Sequence, residues 1–150
     1  MKVVIEVDKG AHVGERYELE LKAYRAVCRE GVPVVTTAFA NSGDQRLDPD
    51  DIRVVEEHLK KRAKEEDDDG SVLRMGTFKR GSDILLDDEK ISRTHAMFFL
   101  DADGPSVVDL LSTNGTYVNG QQVMDSDLHD GDIVHVGKTR LVVHVEAGEV

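Results

Sequence analysis

The chain has 150 residues and is 39% hydrophobic, with 19 Lys and Arg against 30 Asp and Glu, a formal net charge of −11. That length suits one domain, or one domain with an insertion, and is enough to bury a core without disulfides or metal. The acidic balance argues against nucleic acid and against anionic membrane as partners, because both need a basic footprint. No apolar stretch approaches a membrane span, and the single cysteine, Cys28, leaves neither an internal disulfide nor a cysteine-rich zinc site.

Residues 2–8 alternate in polarity too quickly for the apolar core of a signal peptide and read as a strand, so a cytoplasmic location is expected. Residues 16–28 read as a second strand, with Tyr17, Leu19 and Leu21 on one side and Cys28 as a half-buried small hydrophobe. A helix is expected over about 49–64. Asp48 is a good N-cap, Pro49 fits the first helical position, and Asp50 and Asp51 suit the positive end of the dipole. Ile52, Val55, Leu59 and Ala63 fall on one face. The acidic run 65–70 reads as a solvated linker.

From Ser71 onward the pattern is all-β, with short apolar runs separated by Asp, Gly, Asn and Ser clusters. Asn119-Gly120 between Tyr117-Val118 and Gln121-Gln122-Val123 is a type I′ hairpin signal. Between Arg80 and Gly120 polar and cationic residues crowd the predicted loops: Arg80 before the run Asp83-Ile84-Leu85-Leu86, then Ser92-Arg93-Thr94-His95, then Ser112-Thr113-Asn114-Gly115. In a sandwich alternate loops gather at one end, so three such loops can converge on a small anion. A phosphate monoester is dianionic near neutral pH and is captured by a forked guanidinium with short hydroxyl or amide donors. In an acidic protein Arg80 and Arg93 are the cations that draw attention.

These residues, in this order and at this spacing, resemble the forkhead-associated (FHA) domain, whose members recognise phosphothreonine peptides. The likeness is strong over about 71–145 and weaker over 2–28, where Gly10, Gly14 and Tyr17-Glu18-Leu19 resemble the family's first hairpin. It implies an all-β sandwich of about eleven strands. Arg80 then matches the phosphate-binding arginine, Ser92 the serine that contacts phosphate, Arg93 a further phosphate or peptide contact, and Asn114 the asparagine on the ligand backbone, with Thr113 beside it. His95 matches a histidine that braces the Ser92 loop, and Gly115 and Asn119 match turn positions. Where the family has glycine before the arginine this chain has Lys79, which either shifts the loop or adds a cation.

The expected architecture is one sandwich, 1–28 plus 71–148, interrupted by an insertion over 29–70, the alternative being a separate α/β domain at 1–70. The helix either packs on its own domain or docks a partner, and a third reading has Asp67-Asp68-Asp69 or phosphorylated Thr36 or Thr37 visiting the pocket. His129, His135 and His144 follow no compact metal-ligand pattern. Ser92, His95 and Asp109 lack the strand–turn–helix setting of a hydrolase nucleophile. The expectation is a non-catalytic module, without cofactor or metal, that binds a phosphothreonine-containing protein, a Ser/Thr kinase or its substrate. The competing reading is a phosphate-independent assembly subunit on the same fold that docks through the helix.

Overall fold

The computed structural model describes residues 2–30, 49–62 and 78–146. The expected N-cap Asp48, Ala63, the run 65–70, the start of the all-β pattern at Ser71, and Thr36 and Thr37 lie outside them. Among the described residues there are twelve strands and one helix.

The first sheet has the order β2 (Arg16–Leu19), β1 (Lys2–Lys9), β12 (Thr139–Glu146), β11 (Ile133–Val136), β8 (Thr116–Val118), β9 (Gln121–Val123). The second runs β10 (Asp125–Asp127), β7 (Gly104–Asp109), β6 (Thr94–Asp101), β3 (Ala23–Arg29), β4 (Lys79–Arg80), and β5 (Ile84–Leu86) also pairs with β3. The strands over 2–30 are thus integral to both sheets. Lys2 lies opposite Glu146 in the first, and Cys28 opposite Thr94 in the second.

The stretch 16–28, read from its pattern as one strand, is two. The chain turns at Glu20–Lys22, Lys22 takes a left-handed φ of 62°, and β2 and β3 go to different sheets. Leu21 accordingly stands in the turn, 58% exposed, although its alternation with Tyr17 and Leu19 suggested a common face.

Alternation places the core. Val3, Ile5 and Val7 of β1, with Leu141 and Val143 of β12, point inward against Val27, Ile84, Leu86, Ala96, Phe98 and Leu100 of the second sheet. The opposite face of that second sheet carries another apolar layer, Tyr24, Ala26, Cys28, Met97, Phe99 and Val108. Val55 and Leu59 of helix α1 (Pro49–Arg62) and Phe78 cover it. β6 is therefore buried along its whole length, and Cys28 is fully buried rather than half-buried.

The helix is described from Pro49 to Arg62, and its apolar stripe packs on its own domain. The stripe is rotated from the expected one. Asp51, Val55, His58 and Leu59 face the sheet, while Ile52 is 36% exposed. The inward His58 shares a hydrogen bond between its Nε2 and Ser106 Oγ at 3.0 Å, which lets a polar side chain occupy the buried face.

Candidate functional site

Two loops meet at one end of the sandwich, each wound around a buried aspartate. In the β5–β6 loop Asp88 accepts from the N–H groups of Lys90 (2.9 Å) and Lys138 (2.7 Å) and from the Thr139 hydroxyl (2.8 Å). It thereby ties this loop to the turn between β11 and β12. Gly137 sits in that turn at φ 59°, where a Cβ would come within 2.9 Å of both Asp88 and Ile91. In the β7–β8 loop Asp109 accepts from the N–H and hydroxyl of Ser112 and from the Thr116 hydroxyl. Ser112 in turn accepts from the N–H of Gly115 (2.9 Å). The compact polar turn written Ser112-Thr113-Asn114-Gly115 is closed by that carboxylate.

His95, fully buried at the start of β6, joins the two loops. Its Nδ1 accepts the N–H of Ser92 at 3.1 Å, so Nε2 carries the proton and donates to the carbonyl of Gly115 at 2.8 Å. Burial pushes its pKa below the ordinary imidazole value, against the opposing pull of the Gly115 carbonyl and of Asp109 and Asp88. Two further bonds close the gap between the loops. Thr113 N–H donates to Ser92 Oγ (3.0 Å), and Asn114 Nδ2 donates to the Lys90 carbonyl (2.8 Å). Because the Ser92 hydroxyl accepts from Thr113, its own proton remains available to donate.

This pattern is not a hydrolase relay. The His95 ring nitrogen faces the backbone amide of Ser92, while the Ser92 hydroxyl faces Thr113, and Asp109 is engaged by Ser112 and Thr116. Among the described residues no group of three or more His, Cys, Asp or Glu is arranged to hold a metal ion. His129 and His144 instead face Asp132 and Glu6.

Sequence position and place in the fold part company at Arg80. It pairs with Tyr24 on β3, and Tyr24 lies opposite Phe99, whereas the Ser92 loop adjoins Thr94, opposite Cys28. Four residue steps along β3 separate the two levels, about 13 Å at the usual strand rise. Arg80 spends its guanidinium on Asp83, at 2.9 Å, and Lys79 lies 3.7 Å from Glu20. The residue beside the Ser92 loop is Arg29, the last of β3. Its N–H donates to the Arg93 carbonyl at 3.2 Å. Arg29 is half-buried and Arg93 exposed, and neither side chain makes a hydrogen bond or ion pair among the described residues. The β1–β2 loop reaches the same end, where His12 Nε2 accepts from the N–H of Asp87 at 2.9 Å.

Asn119 lies elsewhere. It forms the two-residue hairpin with Gly120, both at positive φ (51° and 86°), at the opposite end of β8 from Gly115. Its side chain accepts from Ile133 N–H and donates to Asp132. The structure thus brings Ser92, Arg93, Thr113, Asn114, His95 and Gly115 together and sets Arg80 and Asn119 apart. Arg29 and Asp88 were not singled out from the sequence. Arg29 ends an apolar strand, and Asp88 follows one in the doublet Asp87-Asp88, the two weak signals available.

Residues 71–137 match the sequence model of the FHA domain. The glycogen accumulation regulator GarA of Mycobacterium tuberculosis is 52% identical over 61 residues, which is 41% of this chain and 38% of that protein. The oxoglutarate dehydrogenase inhibitor of Corynebacterium jeikeium is 51% identical over 61 residues, 41% of this chain and 42% of its own. The match therefore spans about two fifths of the length of these curated relatives. Among solved structures, the FHA domain of the CT664 protein from Chlamydia trachomatis aligns with a TM-score of 0.60 at 20% identity, covering 98% of this chain and 100% of that one. The FhaA FHA domain, solved in complex with the intracellular domain of Rv3910, gives 0.52 at 21% identity, covering 95% and 99%. At these identities the structural likeness speaks for the fold, a two-sheet β-sandwich, and together with the sequence match it leads to one conclusion: this chain carries a forkhead-associated domain.

Proposed function

We propose that this chain is a non-catalytic phosphothreonine-peptide-binding module, acting in the cytoplasm in a Ser/Thr kinase pathway. The observation that carries the reading is the placement of Arg29 and Arg93, without carboxylate partners among the described residues, beside the Ser92 hydroxyl, which accepts from Thr113 and keeps its own proton to donate. In a chain of net charge −11, that end is where a dianion finds guanidinium forks and a hydroxyl donor together. Arg29 takes the phosphate-anchoring role that the family resemblance implied for Arg80. Ser92 donates to a phosphate oxygen, and Arg93 adds a second cation. Thr113 and Asn114 present polar groups to the peptide backbone. His95 and Gly115 hold the loops in register, and Asn119 braces the scaffold from a distance. Discrimination against phosphoserine rests on burying one methyl, about 0.8 kcal/mol.

The pairing of β1 with β12 and of β3 with β6 supports the reading of one sandwich, 1–28 plus 71–148, interrupted over 29–70. The names of the relatives, a regulator and an inhibitor, support a role in which the module binds and regulates a partner protein. Docking through the helix is the weaker alternative, because Val55 and Leu59 are already buried on the second sheet.

The test is a titration of wild type, Arg29→Ala, Ser92→Ala and Arg80→Ala with a phosphothreonine peptide library and its unphosphorylated counterparts. Phosphate-dependent binding that is lost in the first two variants and kept in the third is expected. Binding that ignores phosphate, or no binding by wild type, overturns the reading.

A further inference from the structure

Leu111 breaks two rules at once. Its φ is 56°, in the left-handed region that a branched, bulky side chain enters only under constraint, and its side chain is 52% exposed. A glycine would relieve the first and a polar residue the second. The constraint is visible on both sides. Leu110 is buried, and its N–H donates to the His95 carbonyl at 2.9 Å, while the Ser112 N–H and hydroxyl are held by Asp109. The bend between these anchors falls on Leu111 and turns its side chain to solvent at the root of the loop that carries Thr113 and Asn114. Among the described residues the side chain contributes to neither apolar cluster.

The geometry points to Leu111 as a specificity-determining contact, one that receives an apolar side chain of the bound peptide near its phosphorylated residue. This rests on the phosphopeptide reading of the same site. A single exposed leucine is ordinary on a protein surface. One held in a strained bend, two residues from Thr113, is placed where a peptide lying across Thr113 and Asn114 passes it. The ligand is therefore a phosphothreonine peptide with a leucine, isoleucine, valine or methionine close to the phosphorylated position. Discrimination by an apolar contact of this kind amounts to about tenfold.

The experiment is a positional scan of phosphothreonine peptides, each position near the phosphothreonine varied among leucine, alanine and glutamate, read by fluorescence anisotropy against wild type, Leu111→Gly and Leu111→Asn. Both variants suit a left-handed φ, so the fold is retained, which a thermal melt checks in parallel. Wild type is expected to prefer leucine at one position by about tenfold. The variants are expected to lose that preference while binding the alanine peptide as wild type does. An apolar preference that survives in both variants, or a wild type that binds phosphopeptides with no apolar preference, overturns the assignment of Leu111. A wild type that binds no phosphopeptide overturns the underlying reading and this one with it.

Discussion

The backbone N–H of Arg29 donates to the carbonyl of Arg93 at 3.2 Å, joining the end of β3 to the loop that carries Ser92. Two arginines from distant parts of the chain are thereby fixed side by side. Removing the Arg29 guanidinium is expected to lose two charge-assisted hydrogen bonds to phosphate, each on the order of 1.5–3 kcal/mol. Arg29→Ala should therefore weaken phosphopeptide affinity by at least about a hundredfold, and Arg29→Lys should recover only part of it, because an ammonium lacks the fork. Arg80→Ala should leave affinity within about threefold and cost stability on the order of 1 kcal/mol, since it breaks the half-buried pair with Asp83 away from the Ser92 level. Calorimetric titration and chemical denaturation of the same proteins check both halves.

His95 gives the site a pH dependence whose sign follows from its bonding. Its folded pKa is lowered, chiefly by burial, and in the unfolded chain it titrates near about 6.5. Between those two values the unfolded state binds more protons than the folded one, so stability rises with pH. It is fully present above about 6.5 and falls as the pH drops from there toward the lowered native value. Structurally, a proton on Nδ1 removes the acceptor for the Ser92 N–H. Melts from about pH 7 to about pH 5 should show a steeper loss in wild type than in His95→Gln, which has no imidazole to charge. Equal slopes would show that His95 is not the group responsible.

What could be read beforehand divides along one line, local chemistry against long-range register. Asn119-Gly120 was legible as a hairpin because a two-residue turn of positive φ is written in two adjacent residues, and both do lie at positive φ. The loop of Ser92, Arg93 and His95 and that of Thr113, Asn114 and Gly115 were legible for the same reason. Arg29 was not. Its backbone meets Arg93 in the Ser92 loop only because β3 pairs antiparallel with β6, a partnership across residues 31–77 that no local periodicity encodes. Arg80 was the candidate because it precedes Asp83-Ile84. The parallel register of β4 on β3, equally invisible locally, carries it about 13 Å from the Ser92 level. The rotation of the helix stripe onto Asp51 and His58 has a similar origin, since Ser106 supplies a buried partner that the helix sequence does not announce.

Asp88 is expected to matter more than its place in an acidic chain suggests. It is 7% exposed and satisfies one amide of its own loop, from Lys90, and an amide and a hydroxyl of the β11–β12 turn, from Lys138 and Thr139. Asp88→Ala strands those three donors, and each unsatisfied buried group costs about 1–3 kcal/mol. A loss of roughly 3–5 kcal/mol is expected for Asp88→Ala, and a smaller one for Asp88→Asn, whose carbonyl keeps one acceptor. Urea denaturation measures it. A change under about 1 kcal/mol would mean that water replaces the carboxylate and that the loop is not held by it.

The helix supplies the complementary test, a change that should harm the scaffold and spare the site. Leu59 is fully buried against the outer layer of the second sheet, with Phe99, Met97 and Val108 in the same cluster. Leu59→Ala leaves a cavity there and should cost about 2–4 kcal/mol. The Ser92 and Thr113 loops are held instead by Asp88, Asp109 and His95, and Arg29 by its backbone pairing with Arg93, and among the described residues these bonds run to partners outside α1. At temperatures where the variant stays folded, its phosphopeptide affinity should lie within about threefold of wild type, a difference below about 1 kcal/mol. A loss as deep as that of Arg29→Ala would instead show that the outer layer, which includes Cys28 and Leu110 next to those loops, sets the geometry of the pocket.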